Sequence, residues 1–111
     1  MSSGQIGEKK TFSYEEAARM LPEVRQLTER VYRAVAALSA ARKPSDGVQA
    51  RIDELVGEWA RSLLEKGVEV KGLWLVDFDN GSGYYCWRYP EESLQFFHSY
   101  EDGFSGRMRI Q

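Results

Sequence analysis

Leu75-Val76-Asp77-Phe78-Asp79-Asn80-Gly81-Ser82-Gly83-Tyr84-Tyr85-Cys86-Trp87-Arg88-Tyr89 is the stretch that decides the fold. Two runs rich in β-branched and aromatic residues flank Asn80-Gly81-Ser82-Gly83, a composition that favours a tight hairpin turn. The segment predicts antiparallel strands over Leu73–Asp79 and Tyr84–Tyr89. A hairpin closed by Asp79 and Tyr84 pairs Phe78 with Tyr85, Asp77 with Cys86, Val76 with Trp87 and Leu75 with Arg88. Side chains alternate along a strand, so Trp74, Val76, Phe78, Tyr85, Trp87 and Tyr89 share one face, suited to packing on helices. Leu73, Leu75, Asp77, Tyr84, Cys86 and Arg88 take the other, with Asp77 and Arg88 as diagonal neighbours. A slip of one residue would reverse the two faces, so this reading rests on the turn.

Downstream, Leu94–Tyr100 follows the loop Pro90-Glu91-Glu92-Ser93 and supplies a third strand. Phe96, His98 and Tyr100 share a face of it, and the pattern does not fix which. Val68–Val70 is a candidate edge piece, and the Gly-containing tail Glu101–Gln111 reads as a strap laid back over the sheet. Upstream the period is helical. Ser13-Tyr14-Glu15-Glu16 is a capping box opening a short helix to about Leu21. Pro22 reads as a kink or as the first position of a new helix. Val24, Leu27, Val31, Ala34, Leu38 and Ala41 form an apolar stripe on a helix ending near Arg42. After Lys43-Pro44-Ser45-Asp46-Gly47, a second long helix carries Val48, Ile52, Leu55, Trp59 and Leu63 and stops at Lys66-Gly67. The expected fold is therefore α+β: an antiparallel helical hairpin with a short leading helix, packed on a three-stranded antiparallel β-meander.

The chain has 111 residues, one cysteine, one histidine and a formal net charge of -2. That length suits one domain, here residues 12–111 behind a disordered lead-in of residues 1–11. Near-neutral charge argues against nucleic acid or an anionic membrane as a partner. A single cysteine excludes an internal disulfide, and one Cys with one His falls short of a four-ligand structural zinc site. The polar start Met1–Lys10 lacks a signal-peptide pattern, and no apolar run is long enough to span a bilayer. These features lead to the expectation of a cytoplasmic protein.

Several strings in the chain form a recognisable set. They are Phe12-Ser13-Tyr14-Glu15-Glu16-Ala17, Leu21-Pro22, Val76-Asp77-Phe78, Cys86-Trp87-Arg88, Phe97-His98 and Gly103-Phe104-Ser105-Gly106-Arg107. Together they resemble the prokaryotic domain-of-unknown-function family DUF2203, from Phe12 to Arg107. The C-terminal strings are specific and the helical part is generic. The chain departs from the pattern at Tyr89-Pro90-Glu91, where the family has x-Gly-Glu, at Trp74, and in a shorter stretch before Val76. The resemblance implies a fold and carries no activity.

Candidate chemistry gathers in the last third. His98 is the one side chain that titrates near neutrality unaided, so it is the candidate acid/base, with Asp77 to orient it. The plainer account is a strand histidine bonded to a carboxylate or carbonyl. Asp77 and Arg88 suit recognition of an anion or carboxylate, or a simple cross-strand salt bridge. Gly103–Arg107 offers amides and a guanidinium, or else a strap that plugs Phe104 into the core. Cys86 inside a strand reads as a small buried hydrophobe. Asp77, Asp79, His98 and Glu101 lack a metal-site spacing, so neither metal nor cofactor is expected. The leading expectation is a small binding or interaction domain, a homodimer, with a small-molecule ligand site at Asp77, Arg88, His98, Glu101 and Arg107. The alternative is a small hydrolase-like enzyme using His98 as acid/base.

Overall fold

A computed structural model describes residues 10–40 and 45–110. Helix α1 (Tyr14–Ser39) and helix α2 (Asp46–Glu65) precede strands β1 (Glu69–Gly72), β2 (Leu75–Asp79), β3 (Gly83–Arg88) and β4 (Phe96–Ser99). A single 3-10 turn (Phe104–Gly106) and a two-residue strand β5 (Met108–Arg109) finish the chain. The class is α+β, and the sheet is antiparallel in the order β1-β2-β3-β4-β5.

That sheet corrects the expectation of three strands. The Val68–Val70 edge piece is a true strand, shifted onto Glu69–Gly72, and the tail adds a fifth strand beside β4. β5 is two residues long and exposed, with neither alternation nor β-branching to announce it. The β2–β3 register is the expected one, running from Leu75 opposite Arg88 to Asp79 opposite Tyr84. Asn80 N–H closes the turn on the Gly83 carbonyl at 2.8 Å, and Gly81 takes φ 96° at no steric cost.

The leading helix is also corrected. Pro22 lies inside α1, which runs unbroken for 26 residues. Pro22 forfeits one backbone hydrogen bond, but Ala17, Leu21, Val24 and Thr28 on either side of it are all buried. Packing of that continuous face outweighs the local cost. Ser13 caps α1 in a complete capping box with Glu16, and Ser45 caps α2 through Val48 N–H. The end of α1 comes at Ser39, and the expected extension to Arg42 lies partly outside the described residues, as does most of the lead-in.

Thr28 pairs with Trp59 at 2.8 Å and Glu23 with Lys66 at 2.6 Å, fixing the two helices as antiparallel. One core joins the hairpin to one face of the sheet: Leu21, Val24, Trp59 and Leu63 meet Val76, Phe78 and Trp87. Phe12 joins it, with its amide on the Asp79 carbonyl at 2.7 Å and its ring edge-on to Phe78. Between β1 and β2 the chain turns through Leu73-Trp74, and Trp74 adopts φ 64°, a left-handed conformation costly for a bulky residue. Its ring is held edge-on by Trp59 and Tyr32. No helix among the described residues is long and apolar enough to cross a membrane.

Candidate functional site

With one sheet face committed to the helices, the chemistry lies on the other. Alternation from the β2–β3 register puts Leu75, Asp77 and Asp79 beside Tyr84, Cys86 and Arg88. The β3–β4 register sets Tyr84 opposite His98 and Cys86 opposite Phe96. That settles the face left open by the pattern: His98 stands on the side of Asp77. The two meet across the short Cys86 side chain of the strand between them, His98 Nε2 lying 3.0 Å from Asp77 Oδ2. A larger residue at Cys86 would stand in the line of contact.

The pair is dry, with Asp77 1% and His98 3% exposed. His98 Nδ1 lies 2.7 Å from the Ser99 carbonyl oxygen, which can only accept, so Nδ1 carries a hydrogen. The contact between Nε2 and Oδ2 then needs one further proton, on the ring or on the carboxyl. Asp77 and His98 therefore hold one proton in common. Burial pushes the Asp77 carboxyl above its usual range, against the pull of His98. Asp77 Oδ1 is buried and has no hydrogen-bond partner among the described residues. Burial, and then the Asp77 carboxylate, push the Cys86 thiol up to about 12, so it stays protonated and is a poor nucleophile.

These three residues form part of the wall of a cavity of about 240 Å³, completed by Lys71, Leu75, Tyr84, Tyr100, Gly103 and Phe104. A bulge in β1 leaves Lys71 without a partner in β2. Its ammonium lies 4.4 Å from the centre of the Tyr84 ring and 3.0 Å from Glu69. Tyr100 donates to Asp79 Oδ1 at 2.7 Å, and that bond pushes its phenol up to about 12.

Of the other expected site residues, Arg88 and Glu101 sit apart and Arg107 reaches the cluster only through Cys86. Arg88 is exposed at the end of β3, its guanidinium 5.5 Å from the Phe104 ring centre, and its expected partner Asp77 is bonded to His98 instead. Arg107 binds Glu91 at 2.8 Å and stacks 3.9 Å from Phe96 and 4.2 Å from Phe104. It braces the strap and also interacts with the Cys86 thiol in the cavity wall. Glu91 also accepts the Arg88 amide at 2.9 Å, so the glutamate of the Pro90-Glu91 turn ties β3 to the strap. Glu101 is exposed on the turn after β4 and is not among the residues lining the cavity. Phe104 is 38% exposed, so it roofs the cavity instead of filling the core. Sequence reasoning missed Lys71, Tyr84 and Tyr100 as wall residues. The Glu69/Lys71 alternation was the one available signal, hidden by ending the edge piece at Val70.

Asp77, Cys86, His98 and the Gly103-Phe104 pair come from separate strings along the chain, yet all reach this cavity. The profile of a family described as "Uncharacterized conserved protein (DUF2203)" matches residues 10–110. The chain belongs to this family. DUF2203 thus takes in both helices and the whole sheet of the fold described above. No curated protein and no solved structure matches the chain.

Proposed function

We propose that the protein is a small cytoplasmic binding domain whose ligand site is the cavity on the helix-free face of the sheet. The observation that carries this reading is the dry Asp77–His98 pair in the wall of that cavity, with Asp77 Oδ1 lacking a hydrogen-bond partner among the described residues. Buried polar atoms are ordinarily satisfied, and an unpaired one beside a cavity points to a partner arriving from outside. The ligand of this proposal carries a carboxylate or similar anionic group, met at the rim by Lys71. The anion role moves from Arg88 and Arg107 to Lys71, because Lys71 is among the residues lining the cavity and neither arginine is.

The hydrolase-like alternative takes second place. General acid/base work needs a ring nitrogen aimed at the substrate, and both nitrogens of His98 are engaged. Homodimer formation stays part of the proposal, through the half-buried far end of the helical hairpin; a light-scattering mass equal to the monomer would remove it.

The test is amide chemical-shift mapping with a panel of small carboxylic and phosphorylated acids. Shifts are expected at Lys71, Cys86, His98, Tyr100 and Phe104. Lys71→Met should weaken the bound acid roughly tenfold, the worth of one charge-assisted hydrogen bond. Shifts confined to the helices, or none from any acid, would sink the reading.

A further inference from the structure

We infer that Asp77, Cys86 and His98 form a three-ligand site for a divalent cation of the zinc class, with its fourth position open to the cavity. The inference deepens the binding reading and rests on it: the cation is the resident ligand, and the anionic group is what would reach its open position. One carboxylate oxygen, the Cys86 sulfur and one imidazole nitrogen all lie within 4.8 Å of one another. A tetrahedral zinc ion with bonds of roughly 2.0 to 2.3 Å spaces its ligands by roughly 3.5 Å. The 3.0 Å contact between Nε2 and Oδ2 would open slightly and the thiolate would close in, movements within side-chain torsion.

Two independent features point the same way. Asp77 Oδ1 is buried without a hydrogen bond among the described residues, so the carboxylate has unused acceptor capacity beside the cavity. His98 donates Nδ1–H to the Ser99 carbonyl, the outer contact that orients a metal-binding imidazole and leaves Nε2 as the donor atom.

Charge selects the valence. As ligands, a Cys86 thiolate, an Asp77 carboxylate and a neutral His98 imidazole carry two negative charges between them. One divalent cation leaves that ligand set neutral, with the protons it displaces released to solvent. A monovalent or trivalent ion would leave a net charge in a dry site, which is costly. The mixed nitrogen, oxygen and sulfur donor set favours zinc over magnesium or calcium, which prefer oxygen alone. Three protein ligands beside a cavity give the open arrangement of an exchangeable site, whereas a structural zinc is closed by four.

The test uses the untagged full chain, stripped with a chelator under native conditions and titrated with Zn²⁺ and with Co²⁺ as a spectroscopic probe. One metal per chain is expected, with a thiolate-to-cobalt charge-transfer band and the visible bands of tetrahedral cobalt. Cys86 is the chain's single cysteine, so the band alone assigns the ligand even where a variant fails to fold. Cys86→Ser should abolish the band and weaken Zn²⁺ roughly 100-fold, while Glu101→Gln leaves both unchanged. Absence of stoichiometric uptake, or uptake without the charge-transfer band, overturns the inference. If the metal-free protein still binds small acids in the cavity, the metal site alone has failed; if it binds neither, the binding reading fails with it.

Discussion

Removing the imidazole from the Asp77–His98 pair should expose the cost of a stranded carboxyl, and the cost should depend on pH. His98→Phe keeps an aromatic ring and deletes both nitrogens. Asp77 is 1% exposed and has no partner on Oδ1 among the described residues, so the weakly donating Cys86 thiol would be left as its hydrogen-bond partner. Such a group avoids ionising and takes up a proton instead. Below the ordinary carboxylate value of 3.8 the group is protonated in folded and unfolded chains alike, and the penalty vanishes. Above it the unfolded chain ionises and the folded variant does not follow. Each pH unit then costs about 1.4 kcal/mol, giving about 4 kcal/mol near pH 7 and about 1 kcal/mol near pH 4.5. The larger figure agrees with the roughly 3–5 kcal/mol expected when one member of a buried ion pair is removed. For a domain of this size it corresponds to roughly 15 °C in Tm. Asp77→Asn should cost less than about 1.5 kcal/mol, because its amide can donate to Nε2 in the tautomer that Ser99 fixes. The assay is urea unfolding of wild type and both variants at the two pH values, with chelator present so that a proton bridges the pair. A His98→Phe penalty that is flat between those pH values would refute the shared-proton account.

Two further predictions concern the frame around the site. A Cβ at Gly83 would fall 2.6 Å from the Phe97 ring and 2.7 Å from the His98 carbonyl oxygen. Gly83→Ala should therefore cost about 1–3 kcal/mol and speed hydrogen exchange in β4, and unchanged exchange there would contradict it. Thr28→Val strands the buried Trp59 indole N–H, at a cost of about 1–3 kcal/mol measured by denaturant unfolding. In the double variant with Trp59→Phe the two losses should add to less than their sum, since one hydrogen bond is counted in both.

The part of the site legible in the sequence is the part that one turn controls. Asn80–Gly83 fixes the register of β2 on β3, and with it the separation of Val76, Phe78 and Trp87 from Asp77 and Cys86. The face of His98 is not legible, because β4 is set by the longer connection Tyr89–Gln95 and by Gly83, whose missing side chain lets Phe97 approach. Adjacent-strand reasoning pairs Asp77 with Arg88. It overlooks that a small residue on the intervening strand lets side chains two strands apart meet, as Asp77 and His98 do over Cys86. Pro22 misleads for a similar reason. Its local penalty is one missing hydrogen bond, and the buried face of α1 on either side of it contributes more than that bond costs. β5 is held by its pairing to Phe96 and Phe97, which leaves no pattern within Met108-Arg109 itself.

The strictly sequential order of the sheet has a kinetic consequence. Every strand pairs with its neighbour along the chain, so no crossover has to be threaded and each closure spans a short loop. Low sequence separation between contacts favours fast folding. The β2–β3 hairpin, with its short turn Asn80–Ser82, is the expected first arrival, and the other strands can zip onto its two edges in either direction. The cavity wall comes wholly from residues 71 to 104, so assembling it calls for no contact from either helix. Asp77 and His98, 21 residues apart, meet only when β4 docks, so formation of their contact reports completion of the wall. A refolding experiment that follows the fluorescence of Trp59, Trp74 and Trp87, all on the helix side, alongside the His98 ring signals would time the two faces of the sheet separately.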